Sequence, residues 1–151
     1  MTEQTIARPT FMTIERGHPP NIDKIVARFG PVVMNPGVIF TYGTTIWNPS
    51  GRPLSNALMR HEEVHARQQA LVGVEEWWDR YLRDDEFRFL QEMDAHVAEW
   101  KAVLDGESNR AHRREMLTII AKRLSGPLYG RLATYDNVKR MLKKAGMEEV
   151  V

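Results

Sequence analysis

Two histidines and a glutamate within five residues are the part of this chain whose types and spacing could do chemistry. The stretch reads His61-Glu62-Glu63-Val64-His65. If it is helical, His61 and His65 lie about 40° apart around the axis and one turn apart along it, so both imidazoles can reach one metal ion. Glu62 lies about 100° from His61, which suits it to hold a water on that ion rather than to bind the ion itself. The stretch therefore predicts a metal site with a general base beside it.

The site needs a third ligand, because a catalytic zinc usually takes three protein ligands and leaves its fourth position to water. The chain has no cysteine, so only His, Asp and Glu side chains can supply that ligand. A helix predicted at 84–104 carries Glu92, Ala95 and His96 on one face, since spacings of three and four residues align on a helix. Ala95 is small enough to let this helix approach the first one closely. The residues alone leave Glu92 and His96 as alternatives.

The two segments together resemble the gluzincin metallopeptidases. Their active-site helix carries H-E-x-x-H, and a following helix supplies a glutamate within an E-x-E-A-like segment; here the corresponding stretches run from His61 to Gln68 and from Glu92 to His96. The resemblance covers about residues 38–104 and is closest to small bacterial and phage peptidase-like domains. It implies Zn²⁺ held by His61, His65 and Glu92, with Glu62 as the base that hydrolyses a peptide or protein substrate. It favours Glu92 over His96 as the third ligand.

The chain departs from the gluzincin pattern around the third ligand. Asp94 replaces the more usual glutamate, and His96 stands where some members carry an aspartate that orients a ligand histidine. Gln68 and Asp94 are candidates to hydrogen-bond a ligand ring. Four residues could donate to an oxyanion, although packing or surface exposure explains each of them better: Tyr42, Tyr81, Tyr129 and His112. The tryptophans Trp77, Trp78 and Trp100 are predicted to form core or cleft wall.

Length and composition are those of an ordinary globular chain. With 151 residues, 42% hydrophobic and 27% charged, we expect a single domain over residues 1–151. The net charge of +1 combines an acidic stretch at 75–107 with a basic one at 110–144. No nucleic-acid module accompanies the basic stretch, so nucleic-acid binding is disfavoured. No membrane span or signal peptide is visible in the sequence, and a cytoplasmic protein or a virion component is expected.

Hydrophobic periodicity predicts an α+β fold that is mostly helical, and the resemblance implies that this fold is zincin-like. Strands are expected at 11–14, 31–34 and 38–47, where the last is rich in β-branched and aromatic residues. Helices are expected at 22–29 behind an Asn21 cap, at 54–70 with the H-E-x-x-H motif, and at 74–83, 84–104, 110–124 and 135–145. The small sheet would precede the motif helix, which would pack on the helix with the third ligand. A chain that keeps this fold without catalysis, as a phage-particle or secretion-apparatus component, is the alternative to a peptidase.

Overall fold

A computed structural model describes residues 10–147 of the chain. Within that range the fold is α+β and mostly helical, with six α-helices and one three-stranded sheet. The coarse fold class predicted from the sequence is confirmed. Among the same residues, no helix is both long enough and apolar enough to cross a bilayer.

The sheet consists of β1 (Thr13–Glu15), β2 (Phe40–Tyr42) and β3 (Thr45–Trp47), with β3 in the centre. β3 runs parallel to β1 and antiparallel to β2. The prediction of one continuous strand over 38–47 is wrong, because the chain reverses at Gly43. This residue has a φ of 63°, a left-handed conformation that costs glycine little, and the turn joins β2 to β3 as a hairpin.

The other two strand predictions also need correction. Pro31–Met34 forms a 3₁₀ helix rather than a strand. Its first residue is proline, whose fixed φ suits the start of a helical turn, and the Asn35 N–H closes the turn on the Val32 carbonyl at 3.2 Å. The strand expected at 11–14 is shifted to Thr13–Glu15, since pairing with β3 sets its limits.

The helical predictions are closer to the structure. The helices are α1 (Ile22–Phe29), α2 (Asn56–Val72), α3 (Val74–Arg83), α4 (Asp85–Gly106), α5 (Arg110–Leu124) and α6 (Tyr135–Met147). The predicted ranges hold for α1, α3 and α5, whereas α2, α4 and α6 end later than expected. Asn21 precedes α1, but within residues 10–147 its side chain makes no capping hydrogen bond.

The two helices that carry the candidate ligands begin at well-formed caps. Ser55 precedes α2, and its hydroxyl accepts a hydrogen bond from the Leu58 N–H at 3.1 Å. Asp84 precedes α4, and its carboxylate accepts from the Phe87 N–H at 3.1 Å. Each cap satisfies a backbone donor that the first helical turn leaves without an intrahelical partner. The caps therefore fix where the motif helix and its partner start.

Gly146 was expected to follow the last helix, yet it lies inside α6. A Cβ at this position would lie 2.8 Å from both Leu104 Cδ1 and Trp100 Nε1 of α4. The absence of a side chain therefore lets α6 pass close to α4.

The core holds α2 and α4 together between two groups of elements. α2 packs mainly against α4, and β2 contacts α2. One apolar cluster joins α1, α3 and β2, and includes Ile25, Phe40, Trp77 and Trp78. A second cluster joins α4, α5 and α6, and includes Trp100, Ile120, Leu124 and Leu142. The facing sides of α2 and α4 are consequently fixed from both directions, and they contain most of the buried polar residues.

Candidate metal centre

Three buried side chains on α2 and α4 converge on one point. The Nε2 atoms of His61 and His65 are 3.2 Å apart, and Glu92 Oε1 lies 3.3 Å from the former and 3.2 Å from the latter. In tetrahedral coordination at roughly 2.0–2.1 Å, neighbouring ligand atoms are about 3.3–3.4 Å apart. The three atoms therefore form one face of a tetrahedron of the size that a small divalent cation requires, and the cluster could hold a metal ion.

The charges around these three residues favour a cation between them. Burial would raise the pKa of Glu92, but the charge of His65 and hydrogen bonds from both histidines lower it well below its usual range. Burial would lower the pKa values of His61 and His65, and the neighbouring carboxylates nevertheless raise both. Without an ion, protons on the imidazoles supply the positive charge, and a bound metal ion would replace them.

Both histidines are held by hydrogen bonds on the ring nitrogen that faces away from the other ligands. His61 Nδ1 lies 2.8 Å from Glu99 Oε1, and His65 Nδ1 lies 2.9 Å from Gln68 Oε1. Gln68 in turn donates from Nε2 to the Gln91 carbonyl on α4 at 3.0 Å. Such partners fix the tautomer and orientation of ligand imidazoles, with Nδ1 protonated and Nε2 free to bind. Gln68, a predicted hydrogen-bond partner of a ligand ring, therefore contacts one of the candidate ligands, His65.

Glu99 is the functional residue that the sequence analysis missed. It takes the place expected for Asp94, whose side chain is exposed. Burial would raise the pKa of Glu99, but the hydrogen bond and charge of His61, and then the charge of Arg123, lower it. The Arg123 guanidinium lies 3.4 Å from Glu99 Oε2. The sequence does indicate Glu99 through its spacing, because a residue seven positions after Glu92 returns to the same helix face.

Glu62 lies at the edge of the cluster with one oxygen turned towards it. Its Oε2 is 3.7 Å from His61 Nε2, and its Oε1 accepts a hydrogen bond from the Thr41 hydroxyl of β2 at 2.9 Å. Burial raises the pKa of Glu62, although the charges of His61 and His65 act in the opposite direction. A carboxylate that is fixed in this way and takes up protons more readily than usual is suited to act as a general base.

Glu63, the second glutamate of the motif, has a different role. Arg60 lies 2.8 Å from its Oε1, and the hydroxyl of Thr10 donates to its Oε2. These contacts tie the segment before β1 to α2, and they account for the burial of a glutamate outside the ligand cluster.

His96, the alternative third ligand, lies next to the cluster. Its Nδ1 donates to the Glu92 carbonyl at 2.6 Å. Burial and then the charge of His61 lower the pKa of His96 to about 4, so the ring is neutral. His96, His61 and Glu99 form a second group of potential ligands that shares His61 with the first. Because Glu92 Oε1 lies 3.2–3.3 Å from the Nε2 atoms of both motif histidines, the geometry favours Glu92.

Of the four candidate oxyanion donors, two contact residues of the site and two do not line the cavity beside it. Tyr81 of α3 donates its hydroxyl hydrogen bond to Glu92 Oε2 at 2.5 Å. The Tyr129 ring packs edge-on against His96 with centroids 5.7 Å apart. Tyr42 and His112 are absent from the lining of the cavity beside the cluster, as far as residues 10–147 define it.

A cavity of about 430 Å³ opens beside the candidate ligands. Its lining includes His61, Glu62, His65 and Glu92, together with Trp77 and Trp78. Apolar side chains also line it, among them Ile25, Phe29, Val33, Phe40 and Leu128. The volume falls within the range of about 300–1,000 Å³ that is common for ligand-binding clefts.

The sheet edge beside the cavity is partly occupied by the protein itself. β3 is the central strand and is paired on both sides, so an extended peptide has no free strand edge at Thr45–Trp47. In β2 the side-chain amide of Gln69 donates to the Thr41 carbonyl at 2.8 Å and accepts from the Gly43 N–H at 2.7 Å. A peptide that pairs with β2 would therefore have to use the segment before the Thr41 carbonyl.

No protein-family model, no curated protein and no solved structure matches the chain. The geometry of His61, His65, Glu92 and their neighbours is therefore what indicates the function of the chain.

Proposed function

We propose that the chain is a zinc-dependent peptidase of the gluzincin type. The observation that carries this proposal is the triangle of His61 Nε2, His65 Nε2 and Glu92 Oε1, with edges of 3.2–3.3 Å. Two imidazoles and one carboxylate are a ligand set that catalytic zinc uses in peptidases. When bound, the ion supplies Lewis acidity, which acidifies water and polarises a carbonyl.

Glu62 is the general base in this proposal. Its Oε2 takes a proton from water and passes it to the nitrogen of the leaving amine. The Thr41 hydroxyl holds the other oxygen at 2.9 Å and so keeps Oε2 turned towards the ligands. The burial that raises the pKa of Glu62 strengthens it as a base and keeps bulk water from competing.

The substrate in this proposal is a peptide or a segment of a protein. Apolar side chains such as Phe40 and Leu128 line the same cavity as the candidate ligands, where they can contact an apolar side chain of the substrate. The substrate main chain would be held by pairing with the edge of β2. Such pairing uses main-chain hydrogen bonds and therefore selects little among substrate side chains.

The test compares the wild type with Glu62→Gln and with Asp94→Asn, a control on the exposed side of α4. Each protein is loaded with Zn²⁺, its zinc content is measured, and cleavage of a mixed peptide library is followed by mass spectrometry. We expect Glu62→Gln to retain zinc and to lose hydrolysis, because only the proton acceptor is removed. Asp94→Asn should behave as the wild type. Cleavage by Glu62→Gln at the wild-type rate would contradict the mechanism.

The same experiment addresses the assembly-protein alternative. A wild type that retains zinc, cleaves no peptide and forms a stable stoichiometric complex with a phage or secretion-apparatus protein would indicate that the metal site serves structure. A wild type that retains no zinc would overturn the peptidase proposal.

A further inference from the structure

The two oxygens of Glu92 have different neighbours. Oε1 lies 3.3 Å and 3.2 Å from the Nε2 atoms of His61 and His65, respectively. Oε2 accepts the hydrogen bond of the Tyr81 hydroxyl at 2.5 Å. A phenol is a donor in this contact, and a hydrogen bond from O–H to a carboxylate is short and among the stronger kinds in proteins. One oxygen is thus available to an ion and the other is engaged by the protein.

Tyr81 is held rigidly in this position. Its ring stacks on Trp77 with centroids 4.8 Å apart and an interplanar angle of 24°, and the Trp78 ring meets it edge-on at 5.2 Å. Its carbonyl accepts a hydrogen bond from Arg88 Nη1 at 2.6 Å. Trp77 also donates from Nε1 to Gln91 Oε1 at 2.8 Å, so α3 is linked to α4 next to Glu92. The hydroxyl therefore approaches Glu92 from a fixed direction.

A carboxylate without such a partner can bind a metal ion through both oxygens. With two histidines, bidentate binding would give the ion four protein ligand atoms. Zinc prefers four-coordinate geometry, and its catalytic sites keep one position for water or substrate. A second oxygen from Glu92 would therefore compete with the water that Glu62 is placed to deprotonate.

We propose that Tyr81 is a positioning residue that keeps Glu92 monodentate. Its hydroxyl holds Oε2 away from the ion, so that a coordination position stays open to water. This inference rests on the proposed zinc site and adds a residue from α3 to a centre otherwise built from α2 and α4.

The test is Tyr81→Phe, which retains the ring packing and removes only the hydroxyl. Tyr42→Phe, a tyrosine of β2 outside the cavity lining, is the matched control. Co²⁺ is substituted for Zn²⁺ in each protein, and the visible absorption is recorded, since its intensity falls as the coordination number of Co²⁺ rises. Zn²⁺ affinity and peptide turnover are measured in parallel.

We expect wild type and Tyr42→Phe to give the same intense four-coordinate spectrum. Tyr81→Phe should give a different one, because the second oxygen joins the ion: a shifted spectrum where that oxygen displaces the water, and a weaker one where it raises the coordination number to five. Turnover should fall about 10–100-fold, the usual effect of removing a partner of a metal ligand, while Zn²⁺ affinity stays close to the wild-type value. A role in folding alone would lower affinity and leave the spectrum unchanged.

The two proposals fail in different ways. If the wild type binds Co²⁺ and Zn²⁺ but Tyr81→Phe has the wild-type spectrum, the role of Tyr81 is refuted and the zinc site stands. If the wild type binds neither ion, the proposed function fails and the role of Tyr81 fails with it.

Discussion

Glu99 offers the most informative single perturbation, because its only proposed role is to hold His61. In the wild type, His61 Nδ1 lies 2.8 Å from Glu99 Oε1. In Glu99→Gln the amide oxygen can still accept this hydrogen bond, but the negative charge of the carboxylate is lost. Hydrogen bonds to charged groups contribute about 1.5–3 kcal/mol and neutral ones about 0.5–1.5 kcal/mol. The difference of about 1–1.5 kcal/mol corresponds to roughly tenfold weaker Zn²⁺ binding.

Glu99→Leu removes the acceptor altogether and extends the series. The buried Nδ1 of His61 would then lack a partner, which costs about another 1–3 kcal/mol. We therefore expect Zn²⁺ binding to weaken by about 30-fold or more, a loss that overlaps the effect of about 10–100-fold that is typical of removing such partners in other metal sites. Arg123→Gln should have a smaller effect than either, because its contact with Glu99 is long, at 3.4 Å, and its side chain is 43% exposed.

The assay is competition for Zn²⁺ against a chromophoric chelator at constant pH, together with thermal unfolding of the metal-free proteins to control for folding. Asp94→Asn is the matched control on α4, and its exposed position predicts a change of less than about twofold. The reasoning would be refuted if Glu99→Gln and Glu99→Leu bound Zn²⁺ as tightly as Asp94→Asn.

Three further predictions follow from other contacts. Thr41→Val removes the 2.9 Å hydrogen bond to Glu62, so kcat should fall about tenfold with zinc content unchanged; an unaltered kcat would contradict the orienting role of Thr41. In the metal-free protein the carboxylates raise the pKa values of His61 and His65 despite burial, so their contribution to stability is complete below about pH 6.5 and is lost as pH rises through the raised values. Melting in the presence of chelator should therefore occur at a lower temperature at pH 8.5 than at pH 6.5, and the reverse order would be inconsistent with those shifts. Gly146→Ala should lower the free energy of unfolding by about 1–3 kcal/mol, because its Cβ would lie 2.8 Å from two side-chain atoms of α4; chemical denaturation measures this, and a more stable variant would exclude the close approach.

Local sequence patterns predicted the helices well, because the information lies within each segment. Helical geometry alone predicts that His61 and His65 lie on one face of α2. Ser55 and Asp84 cap their helices by contacts with residues a few positions away. The strands were predicted less well. The β-branched residues of 38–47 favour an extended chain, but the left-handed turn at Gly43 divides that stretch into two strands.

The residues around the site could be predicted only in part. Glu92 was selected by its resemblance to a known motif, and packing of α4 on α2 brings it to the histidines. Glu99 shares the helix face of Glu92, whereas Asp94 lies about 200° round the helix from it, so spacing favours Glu99 once Glu92 is taken to face the histidines. Which ring Glu99 meets depends on how α4 packs on α2, and that packing is not written in the sequence of α4. The role of Tyr81 depends on how α3 packs on α4, and no pattern within α3 reveals that contact.

The central claim is that His61, His65 and Glu92 hold one zinc ion. Its most direct test is the zinc content per chain after loading and dialysis, measured by mass spectrometry for the wild type and for Glu92→Gln. We predict about one zinc per chain for the wild type, as for a site with three protein ligands, and substantial loss of zinc from Glu92→Gln. A wild type without zinc, or a Glu92→Gln variant that retains as much as the wild type, would contradict the claim.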